Sequence, residues 1–120
     1  MGRTLEAARA QPDHAGAWVD GPVLNLAFTG DLPRHEAEAR RTWGGPVCVV
    51  QHERGLAELQ RISDELWERT DLEVFSTAVL EVENAVEVGV VAVTQEQQRA
   101  LDERYGKGAV RVQPGLRELS

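Results

Sequence analysis

Residues 24–51, LNLAFTGDLPRHEAEARRTWGGPVCVVQ, and residues 86–113, VEVGVVAVTQEQQRALDERYGKGAVRVQ, decide the fold. Each stretch begins with apolar residues at every second position, which is typical of a strand with one buried face. Each continues with a polar segment in which apolar residues recur four apart, namely Ala39 and Trp43, then Leu101 and Tyr105. Each ends with a glycine and a short β-branched run. A constant offset of 62 residues, with no gap, therefore predicts two copies of one β-α-β pattern.

This correspondence rests on pattern and not on identity. At the offset of 62, only Gly44, Val50 and Gln51 match their partners. Apolar positions agree along the whole alignment, and Cys48 falls on Val110. Duplication of one ancestral unit and chance similarity between two ordinary units both stay open.

The segments before each stretch extend the pattern in the same order. Residues 4–10 are rich in helix formers, and residues 17–19 and 23–29 predict a hairpin around Asp20-Gly21-Pro22. From Gly55 a strongly amphipathic helix begins, followed by strand-like residues 72–82 and 85–93. The predicted class is α+β, with two similar α-ββαβ units at residues 1–53 and 54–120 in one compact domain. Antiparallel or mixed sheets covered by helices on one face are expected.

Local signals predict where two of the helices begin. Asp31, ahead of Pro33, is expected to accept hydrogen bonds from the first free amides of one helix. Thr94 and Gln97 have the spacing of a capping box before the last helix. The final strand is predicted at residues 109–113, where Pro114-Gly115 ends it.

Composition narrows the classes of function. The 120 residues carry 13 Lys and Arg against 20 Asp and Glu, a formal net charge of -7, which disfavours nucleic acid as a partner. With 42% hydrophobic and 28% charged residues, the chain has the composition of a soluble globular domain. No apolar run is long enough for a membrane span, and the first residues lack the plan of a signal peptide. The compartment is left open: cytoplasmic for the chain as it stands, or secreted if a leader precedes it.

Residue types that carry chemistry are few. His14, His35 and His52 show no metal-ligand spacing, and Cys48 is the only cysteine, so no metal, cofactor or internal disulfide is predicted. We expect Cys48 to be a buried structural thiol and His35 to lie on a helix surface beside a salt-bridged arginine face. His52 lies four residues beyond Cys48, roughly 13 Å along an extended strand, too far for a catalytic pair.

Several strand and turn patterns resemble those of a known family. They are residues 15–20 (AGAWVD), 23–28 (VLNLAF), 29–31 (TGD), 56–59 (LAEL) and 83–88 (ENAVEV). In order they are similar to the pro-regions of secreted actinobacterial chymotrypsin-like serine proteases, the streptogrisin and α-lytic protease group, and to free-standing relatives. The resemblance implies a folding chaperone and tight inhibitor that lays a sheet edge and its C-terminal tail on a protease. Here those elements would be residues 109–113 and 114–120.

Three hypotheses of function follow. The first is a non-catalytic module that recognises a protein partner, such as a serine protease, by pairing along a sheet edge. Its predicted contact residues are Trp67, Ala109, Val110, Arg111, Val112, Gln113, Leu116 and Arg117. The second is a small-molecule-binding protein or small enzyme with a cleft between the two units, which would have His35, Arg40 or Cys48 at its mouth. The third is a self-associating structural protein.

Overall fold

The computed structural model describes residues 2–114, and these residues form four helices and six strands. The elements in chain order are α1 (Gly2–Arg9), β1 (His14–Asp20), β2 (Val23–Phe28), α2 (Leu32–Thr42), β3 (Val47–Gln51), α3 (Leu56–Trp67), β4 (Val74–Leu80), β5 (Ala85–Val90), α4 (Gln95–Tyr105) and β6 (Val110–Pro114). The α+β class and the order α-ββαβ followed by α-ββαβ are confirmed. Among the described residues, no helix has the length and apolarity that crossing a bilayer requires.

Contacts divide the chain into unit 1, Met1–Ala57, and unit 2, Glu58–Ser120. Each unit holds one three-stranded mixed sheet, in the order β1-β2-β3 or β4-β5-β6. The hairpin strands pair antiparallel, and the strand after the crossover helix pairs parallel to the central strand. A parallel pair requires such a crossover, so α2 and α4 follow from the sheet order.

The two sheets correspond closely, but not at one constant offset. Both first strands carry a bulge at the same place, between His14 and Gly16 and between Val74 and Ser76. The hairpin turn has two residues in unit 1 and four in unit 2, and the link to the crossover helix is one residue longer in unit 2. Consequently the offset of 62 holds for β2 and β5, but β6 follows β3 at 63. The gap-free alignment is therefore wrong beyond the central strands.

Each core lies between one sheet face and the two helices of its unit. In unit 1 the apolar side chains of β2 face the helices, and the buried cluster comprises Ala8, Leu24, Leu26, Phe28, Ala39 and Val47. In unit 2 the helices bury the larger side chains Leu59, Ile62, Leu66 and Leu101. They cover the β5 residues Val86, Val88 and Val90. The alternation along β2 and β5 thus turns the large apolar side chains toward the helices, whereas the opposite face of these strands carries smaller residues such as Ala27 and Gly89.

The helix starts differ from one another. The capping box at Thr94 is confirmed: its hydroxyl accepts from the Gln97 amide at 3.1 Å, and the Gln97 side chain accepts from the Thr94 amide at 2.9 Å. The prediction for Asp31 is wrong. Asp31 has left-handed backbone angles (φ 58°, ψ 36°) and makes no side-chain cap, and its carboxylate accepts instead from Arg34 Nε at 3.1 Å.

Candidate functional site

The edge strand β6 contains four of the residues expected to contact a partner, and a fifth, Ala109, directly precedes it. The Val86 amide donates to the Ala109 carbonyl at 2.8 Å, which fixes the side of the chain that faces β5. Because successive backbone groups of a strand alternate in direction, Arg111 and Gln113 turn their N–H and C=O groups toward β5. The backbone groups of Val110 and Val112 therefore point away from the sheet, along its outer edge.

Side chains alternate across β6 in the complementary way. Val110 is buried and Val112 is half-buried on the helix-covered face, in register with Val86 and Val88. Arg111 and Gln113 are exposed on the opposite face, which we call the open face of unit 2. Polar side chains thus lie on one side of the edge and apolar ones on the other.

An aromatic side chain that the sequence did not single out lies on the open face of unit 2. Phe75, the bulge residue of β4, is 54% exposed. A Cβ atom at Gly89 would collide with the Phe75 ring, so the ring lies directly over Gly89. A glycine within a strand often marks such a close approach, and Gly89 was the available signal. Gly89 pairs with Gln113 of β6, so Phe75 covers the strand beside that edge.

Trp67 lies elsewhere in unit 2. Its indole Nε1 donates to Thr77 Oγ1 at 2.8 Å, and Ser63 donates to the same oxygen at 2.8 Å. Because Thr77 belongs to β4, this bond holds Trp67 near the edge of the sheet opposite β6. Trp67 is 51% exposed, as expected, but it does not join the β6 residues in one surface. The other two predicted contacts, Leu116 and Arg117, lie outside the described residues.

The residues proposed for a cleft do not converge within unit 1. His35 is 3% exposed on the helix-covered face of the sheet, so the prediction of a surface histidine is wrong. Cys48 is exposed and pairs with Asn25 on the opposite face, so the prediction of a buried thiol is also wrong. Arg40 is exposed and forms an ion pair with Glu36 at 3.1 Å. His35 and Cys48 therefore lie on opposite sides of the same sheet.

His35 forms the main polar contact inside unit 1. Its Nε2 lies 2.8 Å from Asp13 Oδ2, and its ring stacks on Phe28 with centroids 3.6 Å apart at an angle of 6°. Burial raises the pKa of Asp13, but the hydrogen bond and the charge of His35 outweigh it and leave the pKa below its ordinary value. The sequence did not predict this pair because the two residues are 22 positions apart.

A second histidine lies on the open side of the unit 1 sheet. The His52 ring stacks on Trp18 with centroids 5.6 Å apart at 15°. Burial lowers the pKa of His52, and a hydrogen bond with the Ala15 backbone opposes that shift. We assign the pair a packing role, because the stacking of the two rings is the contact that the structure shows between them.

Neither a metal site nor a comparison with known proteins assigns a function to this protein. Within residues 2–114, no three His, Cys, Asp or Glu side chains are grouped in a way that would hold a metal ion. No protein-family model matches the chain, and no curated protein matches it. The fold and the edge strand define a class in structural terms: an α+β protein of two α-ββαβ units, each with a mixed sheet.

Proposed function

We propose that this protein is a recognition module that binds an extended segment of a partner protein along β6. The observation that carries the proposal is the outer edge of β6, where the backbone groups of Val110 and Val112 point away from the sheet. An added strand gains main-chain hydrogen bonds there and distinguishes its partner through alternate side chains.

Strand geometry favours β6 over the other edge of its sheet. Bulges commonly protect sheet edges against indiscriminate pairing, and β4 carries one between Val74 and Ser76. The pairing of β6 with β5 is continuous in register from Val110 to Pro114. The position of Pro114 is compatible with an edge, because its missing N–H would otherwise point outward.

Charge and side chains define the kind of segment that fits. The partner segment would lie beside Arg111 and Gln113 on one face and beside Val110 and Val112 on the other. The net charge of -7 slows association with acidic proteins and favours neutral or basic ones. As the partner class we propose a secreted chymotrypsin-like serine protease, the class that the pro-region resemblance implies.

Inhibition of a purified streptogrisin-type protease tests both parts of the proposal. Val112→Pro removes an outward N–H without removing a bond of the sheet, and we expect it to weaken inhibition at least tenfold, as loss of one or two interface hydrogen bonds would. The matched control is Val49→Pro, at the corresponding place on the β3 edge, which should inhibit like the wild type. Circular dichroism should be the same for all three proteins.

Other results of these experiments would contradict the proposed edge, the proposed partner class or the proposed occupant. Equal inhibition by Val112→Pro and the wild type would exclude β6 as the contact, and no inhibition by the wild type would exclude this partner class. Sedimentation velocity of the protein alone identifies self-pairing. A dimer that Val112→Pro dissociates would show that a second copy occupies the edge instead of a protease.

A further inference from the structure

Unit 1 contains a cavity that the proposed recognition edge does not use. It has a volume of about 330 Å³ and lies between α1, α2 and the central strand β2. Leu26 and Phe28 form its base, with Ala8 and Ala39 on the helices, and all four are at most 6% exposed. Its size is at the lower end of the range for small-molecule pockets, so it suits a small ligand.

Small side chains on the two helices explain why the cavity exists. The helix residues buried against the unit 1 sheet are Thr4 and Ala8 on α1 and His35 and Ala39 on α2. Unit 2 has the same arrangement of elements, but its helices bury Leu59, Ile62, Leu66 and Leu101. Unit 2 therefore shows how the same sheet and helix order is packed when large side chains fill the interior.

The cavity combines an aromatic wall with polar groups. The stacked rings of Phe28 and His35 both line it, and the bond from His35 to Asp13 holds the imidazole in place. Thr4 Oγ1 and Thr42 Oγ1, which also line the cavity, are hydrogen-bonded at 2.6 Å. A flat or branched apolar group can therefore contact the rings while hydroxyl groups remain within the same cavity.

The ionised side chains that line the cavity are one carboxylate and one guanidinium, and they differ in their partners. Within residues 2–114, the Arg41 side chain forms no hydrogen bond or ion pair, although Arg41 lines the cavity. The acidic lining residue, Glu38, lies 3.9 Å from Arg34, whose guanidinium also binds Asp31 at 3.1 Å. The negative charge is thus partly compensated, whereas the guanidinium of Arg41 is left for an external carboxylate.

We propose that this cavity binds a small monocarboxylate with a compact apolar body. The carboxylate pairs with Arg41, and the apolar body packs on Phe28, His35 and Ala39. The site belongs to unit 1 alone and does not depend on recognition of a protein at β6.

A titration with 3-phenylpropanoate, followed by amide NMR spectra of the whole protein, tests the proposal. Concentrations up to about 10 mM are appropriate because ligands this small bind modestly. We expect saturable shifts at the amides of Phe28 and Ala39. The neutral amide 3-phenylpropanamide should bind about tenfold more weakly, because it lacks the charge that pairs with Arg41.

Two variants, each with a neighbour on the same helix as its control, locate the site. Arg41→Gln should weaken binding of 3-phenylpropanoate about tenfold, and Arg40→Gln, which changes a paired and exposed arginine, should leave it unchanged. Ala39→Leu places in the cavity the residue type found at Leu101 and should abolish the shifts. Ala37→Leu, on the exposed side of α2, should not.

Three results would overturn the proposal. One is no saturable shift in the wild type, and another is equal binding of the acid and the amide. The third is unchanged binding in Arg41→Gln. Ala39→Leu and Ala37→Leu should both retain the wild-type circular dichroism, so that loss of binding in the former reports the filled cavity. If Ala39→Leu does not fold, Arg41→Gln decides alone, since it changes an exposed side chain.

Discussion

Cys48 illustrates how one residue of register decides the environment of a side chain. At an offset of 62 its partner is the buried Val110, which led to the prediction of a core thiol. The parallel ladders of β3 and β6 correspond at 63, so its partner is the exposed Arg111. A shift of one residue moves a strand side chain to the other face of the sheet. The extra residue lies in the link before α4, where no apolar periodicity reveals it.

The exposure of Cys48 leads to a prediction about its chemistry. We expect the folded protein to react with one equivalent of iodoacetamide at a rate close to that measured in urea, because Cys48 is exposed in the folded state. Mass spectrometry of the labelled protein measures this, and Cys48→Ala gives the unlabelled control. A thiol that reacts only after unfolding would contradict the exposed position. Native labelling alone would not indicate a catalytic thiol, since exposure already accounts for it.

The buried side of unit 1 was only partly predictable from residue types. His35 precedes Ala39 by four residues, so the helical period already placed it on the face that carries Ala39. The periodicity does not indicate the contact between His35 and Asp13, because it joins the residue before β1 to α2. Contacts between distant segments depend on tertiary packing, which a single sequence does not encode as a local pattern.

Among the elements, strands and helices are predictable because the apolar residues recur at the regular intervals of a strand or a helix. The residues of β3 and the starts of β2 and β5 are as expected. The two bulges were not expected, since each inserts one residue into an alternation that otherwise continues. Phe75 lies at such a bulge, which is why its place over Gly89 could not be read from its position in the strand.

The starts of α2 and α4 predict opposite responses to substitution. Thr94→Ala removes a formed cap and should lower the free energy of unfolding by about 1 kcal/mol. Asp31→Gly removes no cap, relieves a left-handed conformation, and loses only an exposed ion pair, so stability should stay within about 0.5 kcal/mol or rise. Urea denaturation of both variants measures the difference. A loss of about 1 kcal/mol in Asp31→Gly as well would indicate that its carboxylate caps the helix in solution.

At the scale of the whole molecule, ionised carboxylates in both units make the free energy of unfolding depend on pH. The pKa values of Asp13, Glu65 and Asp71 all lie below their ordinary values. The main cause for Glu65 is a hydrogen bond from Tyr105, and for Asp71 it is a hydrogen bond from Arg69. A carboxyl group with a lowered pKa binds a proton more readily in the unfolded chain. The contribution of such a group to the free energy of unfolding is therefore complete above its pKa in the unfolded chain. It is lost as the pH falls through its pKa in the folded protein.

Asp13 offers the clearest test of this linkage, because the buried His35 holds its carboxylate. We expect Asp13→Asn to lower the free energy of unfolding at pH 6.5 by about 2 kcal/mol, the range for a hydrogen bond to a charged group. The difference from the wild type should shrink as the pH falls below the ordinary Asp value of 3.8, because both proteins then carry an uncharged group there. Urea unfolding followed by tryptophan fluorescence at several pH values measures the gap. Asp64→Asn, which changes an exposed carboxylate bonded to Gln60, controls for general charge effects. A gap that stays constant down to the acid limit would mean that Asp13 stabilises unit 1 by packing, and the ion-pair account of the His35 contact would then be wrong.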